Sequence, residues 1–241
     1  MKCNIVTEYI NKYNIKYLHY LTHINNIPSI FCHGILSRNV MKKLSLIYTD
    51  ISNPSVQNNR EFKKPGILNS KKNIHDYVPL YFSTQTPMQY VVSNSARSRT
   101  TQNIVAQNKL VFIDVDPASI FTLSNMIFTD GNASNRETKF YNDLKDFDKI
   151  DWNVINSPGD YHGSNGQCYK KEWQRKKCSE VLVAGAVPQM YFSRIVVCGE
   201  SGAQHLFETI NNAQDRMEKD FYNRIKQCVK YSSQLVSEYY F

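Results

Sequence analysis

The sequence predicts an α+β protein folded as a single domain over residues 1–241, and three observations carry that prediction. Short apolar runs rich in β-formers punctuate the chain, the plainest being Leu110–Val115, Leu-Val-Phe-Ile-Asp-Val. A helical spacing runs through Ala203–Val236, where Leu206, Ile210, Met217, Phe221, Ile225 and Val229 fall on one side, as core packing requires. The length, 241 residues without internal repeat or low-complexity tract, suits one substantial core.

Tyr17–Ile24 alternates and reads as a strand. Asn25-Asn26 then offers a helix cap and Pro28 a first turn; Ile27, Ile30 and Phe31 keep helical spacing until Gly34 stops it. Asn39–Asn73 is polar and basic without a clear period, which predicts one short helix and a long surface loop. Val78–Phe82 is a second strand, and Thr86-Pro87 opens a helix reaching Ser95. Beyond Leu110–Val115, Asp130-Gly-Asn-Ala-Ser-Asn is turn chemistry and Ile150–Ser157 a short connection. Pro158–Lys177 reads as a loop, and Glu180–Val183 and Arg194–Cys198 as strands.

A content of 41% hydrophobic and 21% charged residues is that of a globular protein, not a disordered one. The 29 Lys+Arg against 21 Asp+Glu leave a net charge of +8. That surplus favours a polyanionic partner, nucleic acid before anionic membrane, against the plainer reading of a solvated basic surface. Six cysteines without a Cys-x-x-Cys pair suggest neither a zinc site nor a disulfide framework, so reduced thiols and no metal are expected. Met1-Lys2-Cys3 leads into a polar tract and no run reaches membrane-spanning length, so a cytoplasmic protein is expected.

Several residues could carry chemistry. Glu180 begins an apolar strand, where a desolvated carboxylate could hold a ribose hydroxyl or stabilise positive charge as a glycosidic bond opens. An edge-strand charge facing water is the competing reading. His23 ends the first strand and Tyr81 sits in the second; each could meet a nucleotide or serve the core, and the capped helix after His23 could attract phosphate. No Gly-x-Gly-x-x-Gly fingerprint or P-loop is present, so a nucleotide site here must be built differently. The tract Lys170-Lys171-Glu172-Trp173-Gln174-Arg175-Lys176-Lys177 offers five cations for a phosphate backbone and an indole for a base. Lys63, Lys64, Lys71 and Lys72 form a second basic tract that could line the same groove.

Five separated segments resemble the DarT family of DNA ADP-ribosyltransferase toxins. They are Thr22–Asn39 (Thr-His-Ile-Asn-Asn-Ile-Pro-Ser-Ile-Phe-Cys-His-Gly-Ile-Leu-Ser-Arg-Asn), His75–Phe82, Thr86–Tyr90, Asp130–Asn135 with Phe140–Asp143, and Ser179–Val183. The resemblance extends from about Tyr17 to Glu200 in the family's order. It implies an ADP-ribosyltransferase fold with NAD+ held in a cleft between two small sheets. It assigns Glu180 as catalytic glutamate and Arg60 as catalytic arginine, with Thr22, His23, Asn26, Tyr81, Met88 and Tyr90 around NAD+ as co-substrate. Pro158–Ser179 would be the substrate-recognition loop, with Lys170, Lys171, Trp173, Arg175, Lys176 and Lys177 meeting single-stranded DNA. A thymine base would be modified, and a DarG macrodomain antitoxin would remove the adduct from the DNA; a monomeric, cytoplasmic toxin is expected. Two other readings compete: an ADP-ribosyltransferase with a protein or RNA target, and a non-catalytic nucleic-acid-binding module.

Overall fold

The computed structural model describes residues 2–67, 71–93, 105–159, 166–213 and 219–241. Helix α1 (Lys2–Lys12) leads to β1 (Leu18–His23), α2 (Ile27–His33), β2 (Ile35–Leu36), α3 (Arg38–Lys43) and α4 (Pro54–Phe62). Next come β3 (Tyr77–Tyr81), α5 (Pro87–Ser93), β4 (Leu110–Val115), α6 (Pro117–Phe121), β5 (Met126–Thr129) and β6 (Phe140–Tyr141). Helices α7 (Trp152–Asn156) and α8 (Gly166–Lys177) precede β7 (Glu180–Ala184), β8 (Ala186–Val187) and β9 (Phe192–Val197). Helices α9 (Gly199–Asn212) and α10 (Lys219–Cys228), strand β10 (Val229–Lys230) and helix α11 (Ser233–Tyr239) follow.

Among the described residues, eight strands form one sheet in the order β10-β9-β4-β1-β3-β7-β5-β6, and β2 pairs with β8 in a second. All pairings are antiparallel except β10 with β9. Strands β1 and β4 stay in register from Leu18↔Val115 to His23↔Leu110, and β3 and β7 from Tyr77↔Ala184 to Tyr81↔Glu180. Between β1 and β3 there is a single register pair, His19↔Tyr81. The large sheet is therefore two four-stranded halves joined at a narrow seam, and away from it β1 and β3 part. The two sheets expected from the resemblance are thus unequal, and the cleft opens within the larger one.

The strands form where β-branched and apolar residues recur, and β4 and β7 are buried along their length. One face of the sheet packs Leu18, Val111, Ile113, Val181 and Val183 under α1, α2 and α9. The other holds Leu21, Leu110, Phe112 and Val196 beneath Tyr239 and Tyr240 of the C-terminal segment.

Several sequence expectations are corrected. Asn39–Asn73 holds α4 besides α3, because Asn53 caps Ser55 N and Pro54 starts the turn, a short polar helix without an apolar stripe. Ile150–Ser157 contains α7, started by Asp151, whose side chain accepts from Val154 N. Most of the expected loop at Pro158–Lys177 is the polar helix α8. The expected long helix at Ala203–Val236 is three helices and a short strand; Met217 lies outside the described residues, while Leu206, Ile210 and Ile225 are buried as expected. Strands β5 and β6 flank the Asp130 turn and were not anticipated. The α5 helix starts at Pro87 as expected, and Ser95 lies outside the described residues.

Candidate active site

Where β1 and β3 part, a cavity of about 1100 Å3 opens, lined by Tyr20, Leu21 and Thr22 from one strand and Tyr77, Pro79 and Tyr81 from the other. Helix α4 walls it through Gln57 and Arg60, α5 through Met88, and α8 through Lys171, Glu172 and Arg175. Gln57 and Arg60 lie three residues apart, hence on one face of α4, and that face meets the cavity.

Glu180 is fully buried at the start of β7, cross-strand from Tyr81. Its Oε1 accepts from Arg60 Nη2 at 2.5 Å and from Ala133 N at 2.8 Å. The Ala133 amide is delivered by the turn after β5, which also closes on Arg175. A Cβ on Gly131 would press on Arg175, meeting its Cγ at 3.0 Å and its carbonyl oxygen at 3.1 Å, so a larger residue there would displace the Arg175 side chain. Two buried polar atoms in this pair lack a partner: Glu180 Oε2 and Arg60 Nε. Native structures seldom leave such atoms unpaired, and their clustering beside a cavity marks a place for a ligand's donor and acceptor. Arg60 itself lines the cavity, and Glu180 stands behind it. Burial disfavours the Arg60 cation, yet the facing Glu180 and Tyr81 outweigh it and leave its pKa raised. Burial, then Glu180, pushes the Tyr81 phenol far up, and burial lifts the Cys178 thiol to about 12, so both stay protonated at neutral pH.

The structure gathers Thr22, Asn26, Tyr81 and Met88 at the cavity. Tyr81 donates its hydroxyl to Met88 Sδ at 3.2 Å. Asn26 does not cap a helix as the sequence suggested; its amide donates to Thr22 Oγ1 and Thr49 O and accepts from Thr49 N, pinning the loop before α4. His23 stands at the strand end but off the cavity wall, where its Nδ1 accepts from Asn25 N as the cap of the following turn. Tyr90 packs edge-to-face on Phe241, away from the wall.

The basic tract divides. Lys170 and Lys171 are exposed, and Lys171 lines the cavity. Arg175 is bound to Asp130 and Glu172 while still lining the cavity, and Lys176 pairs with Asp151 and Glu172. Lys177 is 1% exposed, its ammonium caught by the carbonyls of Val154, Ile155 and Ser157 at the end of α7 and 5.9 Å from the half-buried Trp173 ring. Burial lowers its pKa to about 8. With its three hydrogens so engaged, Lys177 caps a helix instead of facing a phosphate.

Sequence reasoning missed other lining residues. Tyr48 and Asp50 join Arg38 in one cluster, Arg38 Nη1 lying 3.1 Å from Asp50 Oδ2. Exposed Arg136 stands at the rim. His75 lines the cavity with Nε2 3.0 Å from Gln57 Oε1. Arg38 and His75 lie in segments that carry the resemblance but are given no role there, and no local pattern marks Tyr48, Asp50 or Arg136. Among the described residues, no three His, Cys, Asp or Glu side chains converge as a metal site, and no helix is long and apolar enough to cross a membrane.

Comparisons with known proteins bear on this geometry. Residues 19–227 match the profile of a family described as DarT, ssDNA thymidine ADP-ribosyltransferase. A DNA ADP-ribosyl transferase–DNA ADP-ribosyl glycohydrolase fusion protein of Thermosipho africanus is 27% identical over 197 residues, 81% of this chain and 46% of its own length. The chain thus spans about half of that relative. The solved structure of Thermus sp. 2.9 DarT in complex with ADP-ribosylated ssDNA superposes with a TM-score of 0.68 at 21% identity, over 87% of this chain and 97% of that one. The same Thermus protein in complex with NAD+ gives 0.63 at 21% identity, over 86% and 98%.

Proposed function

This chain belongs to the DarT family of ssDNA thymidine ADP-ribosyltransferases, and from that premise we propose that it transfers ADP-ribose from NAD+ to thymine in single-stranded DNA. The observation that carries the reading is the buried Arg60–Glu180 pair at the sheet seam, with Glu180 Oε2 and Arg60 Nε unpartnered beside the cavity. A cavity of about 1100 Å3 is of dinucleotide size.

In this reading the NAD+ ribose lies against the seam and a ribose hydroxyl donates to Glu180 Oε2. Arg60 stands between the cavity and Glu180, so its side chain turns aside as substrate enters. The nicotinamide–ribose bond opens through a cationic, oxocarbenium-like state, which the Glu180 carboxylate stabilises. Nicotinamide departs with the bonding pair, a ring nitrogen of the base bonds to the ribose carbon, and the nitrogen's proton passes to water. Arg60, held cationic, stabilises the base as that proton departs. Tyr81 and Met88, with Thr22 and Asn26, wall the NAD+ site. A single strand suits the second step because its bases are already unstacked. Exposed Lys170 and Lys171, with Arg136 at the rim, supply the phosphate contacts. The relative that joins a transferase to a DNA ADP-ribosyl glycohydrolase supports pairing of this chain with a DarG-type antitoxin; a monomeric, cytoplasmic toxin completes the proposal.

The test incubates oligonucleotides covering all four bases with NAD+ and reads adducts by mass spectrometry. Thymine adducts on single strands are expected, abolished in Glu180→Ala while DNA binding persists. Adducts on protein or RNA but none on single-stranded DNA would overturn the assignment.

A further inference from the structure

The family profile ends at residue 227, yet the segment beyond it is bound tightly to the cavity walls. Four side chains, Thr84, Gln85, Gln89 and Gln107, donate to its backbone. Gln85 Nε2 donates to Ser237 O at 3.1 Å and to Tyr240 O at 2.8 Å, and Gln89 Nε2 to Tyr239 O at 2.8 Å. Thr84 Oγ1 donates to Glu238 O, and Gln107 Nε2 to Phe241 O. The Tyr240 hydroxyl donates to Leu110 O and Val196 O, fixing the tail to the sheet. The Tyr239 hydroxyl donates to Asp114 Oδ2 at 2.6 Å, and Asp114 Oδ1 holds His19 Nδ1 at 2.7 Å.

These anchors converge on the α5 wall of the cavity and on the seam between β1 and β3. Gln89 is fully buried in α5, next to Met88, whose sulfur receives the Tyr81 hydroxyl beside Glu180. His19 is the seam partner of Tyr81. Gln85 Oε1 also accepts from Gly159 N at 3.1 Å, and Phe241 lies so close to Gly159 that a Cβ there would meet Phe241 Cε1 at 2.5 Å.

We propose that Ser233–Phe241 is a brace that positions the α5 wall of the cavity against the sheet seam, with Gln85 as its pivot. Gln85 is a positioning residue: it touches neither cavity nor Glu180 and acts through α5. Gln85→Glu tests this at fixed shape, because a carboxylate oxygen then faces two carbonyls while the bond from Gly159 N survives. Losing two hydrogen bonds corresponds to about tenfold or more in local opening.

The experiment measures hydrogen exchange and NAD+ binding in wild type, Gln85→Glu and the milder Phe241→Ala. The expected result is faster exchange of the α5 amides by about tenfold, unchanged exchange in β7, and several-fold weaker NAD+ binding. Wild-type exchange in α5 would overturn the brace, as would loosened α5 with NAD+ affinity intact, and so would α5 and β7 loosening together, the mark of a general stability loss. The NAD+ measurement rests on the function proposed above. If wild type itself fails to bind NAD+, that reading falls and the exchange result alone decides the brace.

Discussion

At the scale of single residues, Glu180 has two tasks that substitution can separate. Its carboxylate neutralises a buried guanidinium, and removing one partner of such a pair costs about 3–5 kcal/mol. A carboxamide of the same shape can still accept from Arg60. Glu180→Gln is therefore expected to unfold at higher urea than Glu180→Ala, while both lose about a hundredfold or more in DNA modification. Equal stability of the two variants would show that Arg60 does not depend on that oxygen. His75 gives a second prediction. Burial first, then Arg38, lowers its pKa, with Lys42 and Arg60 lowering it further and Glu61 opposing. With the folded value below the unfolded one, near 6.5, the unfolded chain takes the proton first as pH falls. The stabilisation is present above about pH 6.5 and is lost as pH drops through the folded pKa. His23 shifts the same way, through burial and Lys109. Urea unfolding between pH 7.5 and 5 should show a shallower pH dependence in His75→Gln than in wild type.

At the scale of elements, α8 carries two kinds of lysine. Lys177 holds three carbonyls at the end of α7. Lys177→Met should cost about 2–4 kcal/mol, since it strands buried acceptors. The same change should leave the salt dependence of single-stranded DNA binding as it was. Lys171→Ala should do the opposite, keeping stability within about 0.5 kcal/mol and lowering the salt slope by about 0.7. Unfolding curves and binding titrations across salt concentrations read both. A fall in salt slope for Lys177→Met would place that ammonium at a phosphate after all. The tract read as one basic lip is thus a helix whose far end is built into the fold.

At the scale of the whole molecule, two half-sheets joined by His19↔Tyr81 leave room for a ligand at the seam. A ligand that fills it binds the folded chain alone and must stabilise it. At a hundredfold excess of NAD+ over its Kd the gain is about 2.7 kcal/mol. For a chain of this size that corresponds to a rise of about 5–10 °C in Tm. Thermal unfolding with and without NAD+ reads it, and Arg60→Ala should show little shift. A wild-type Tm unmoved by NAD+ would mean that the cavity does not hold it.

The sequence by itself determined the α+β class, the positions of β1, β3, β4 and β7, the start of α5 and the turn at Asp130. In each of these, local chemistry and burial agree: β-branched runs, Thr-Pro, Asp-Gly. It also placed Glu180 at the head of an apolar strand, and the structure buries it there. What only the tertiary structure decided are the partnerships across distance. The approach of Arg60 to Glu180, 120 positions away, and the seam at His19 and Tyr81 leave no local trace. Helices α4 and α8 were hidden for a related reason, since a short polar helix takes its stability from caps and contacts with the rest of the protein rather than from an apolar stripe of its own. Lys177 shows the same limit in one side chain: in sequence it is one more cation in a basic run, and only packing against α7 makes it an interior cap.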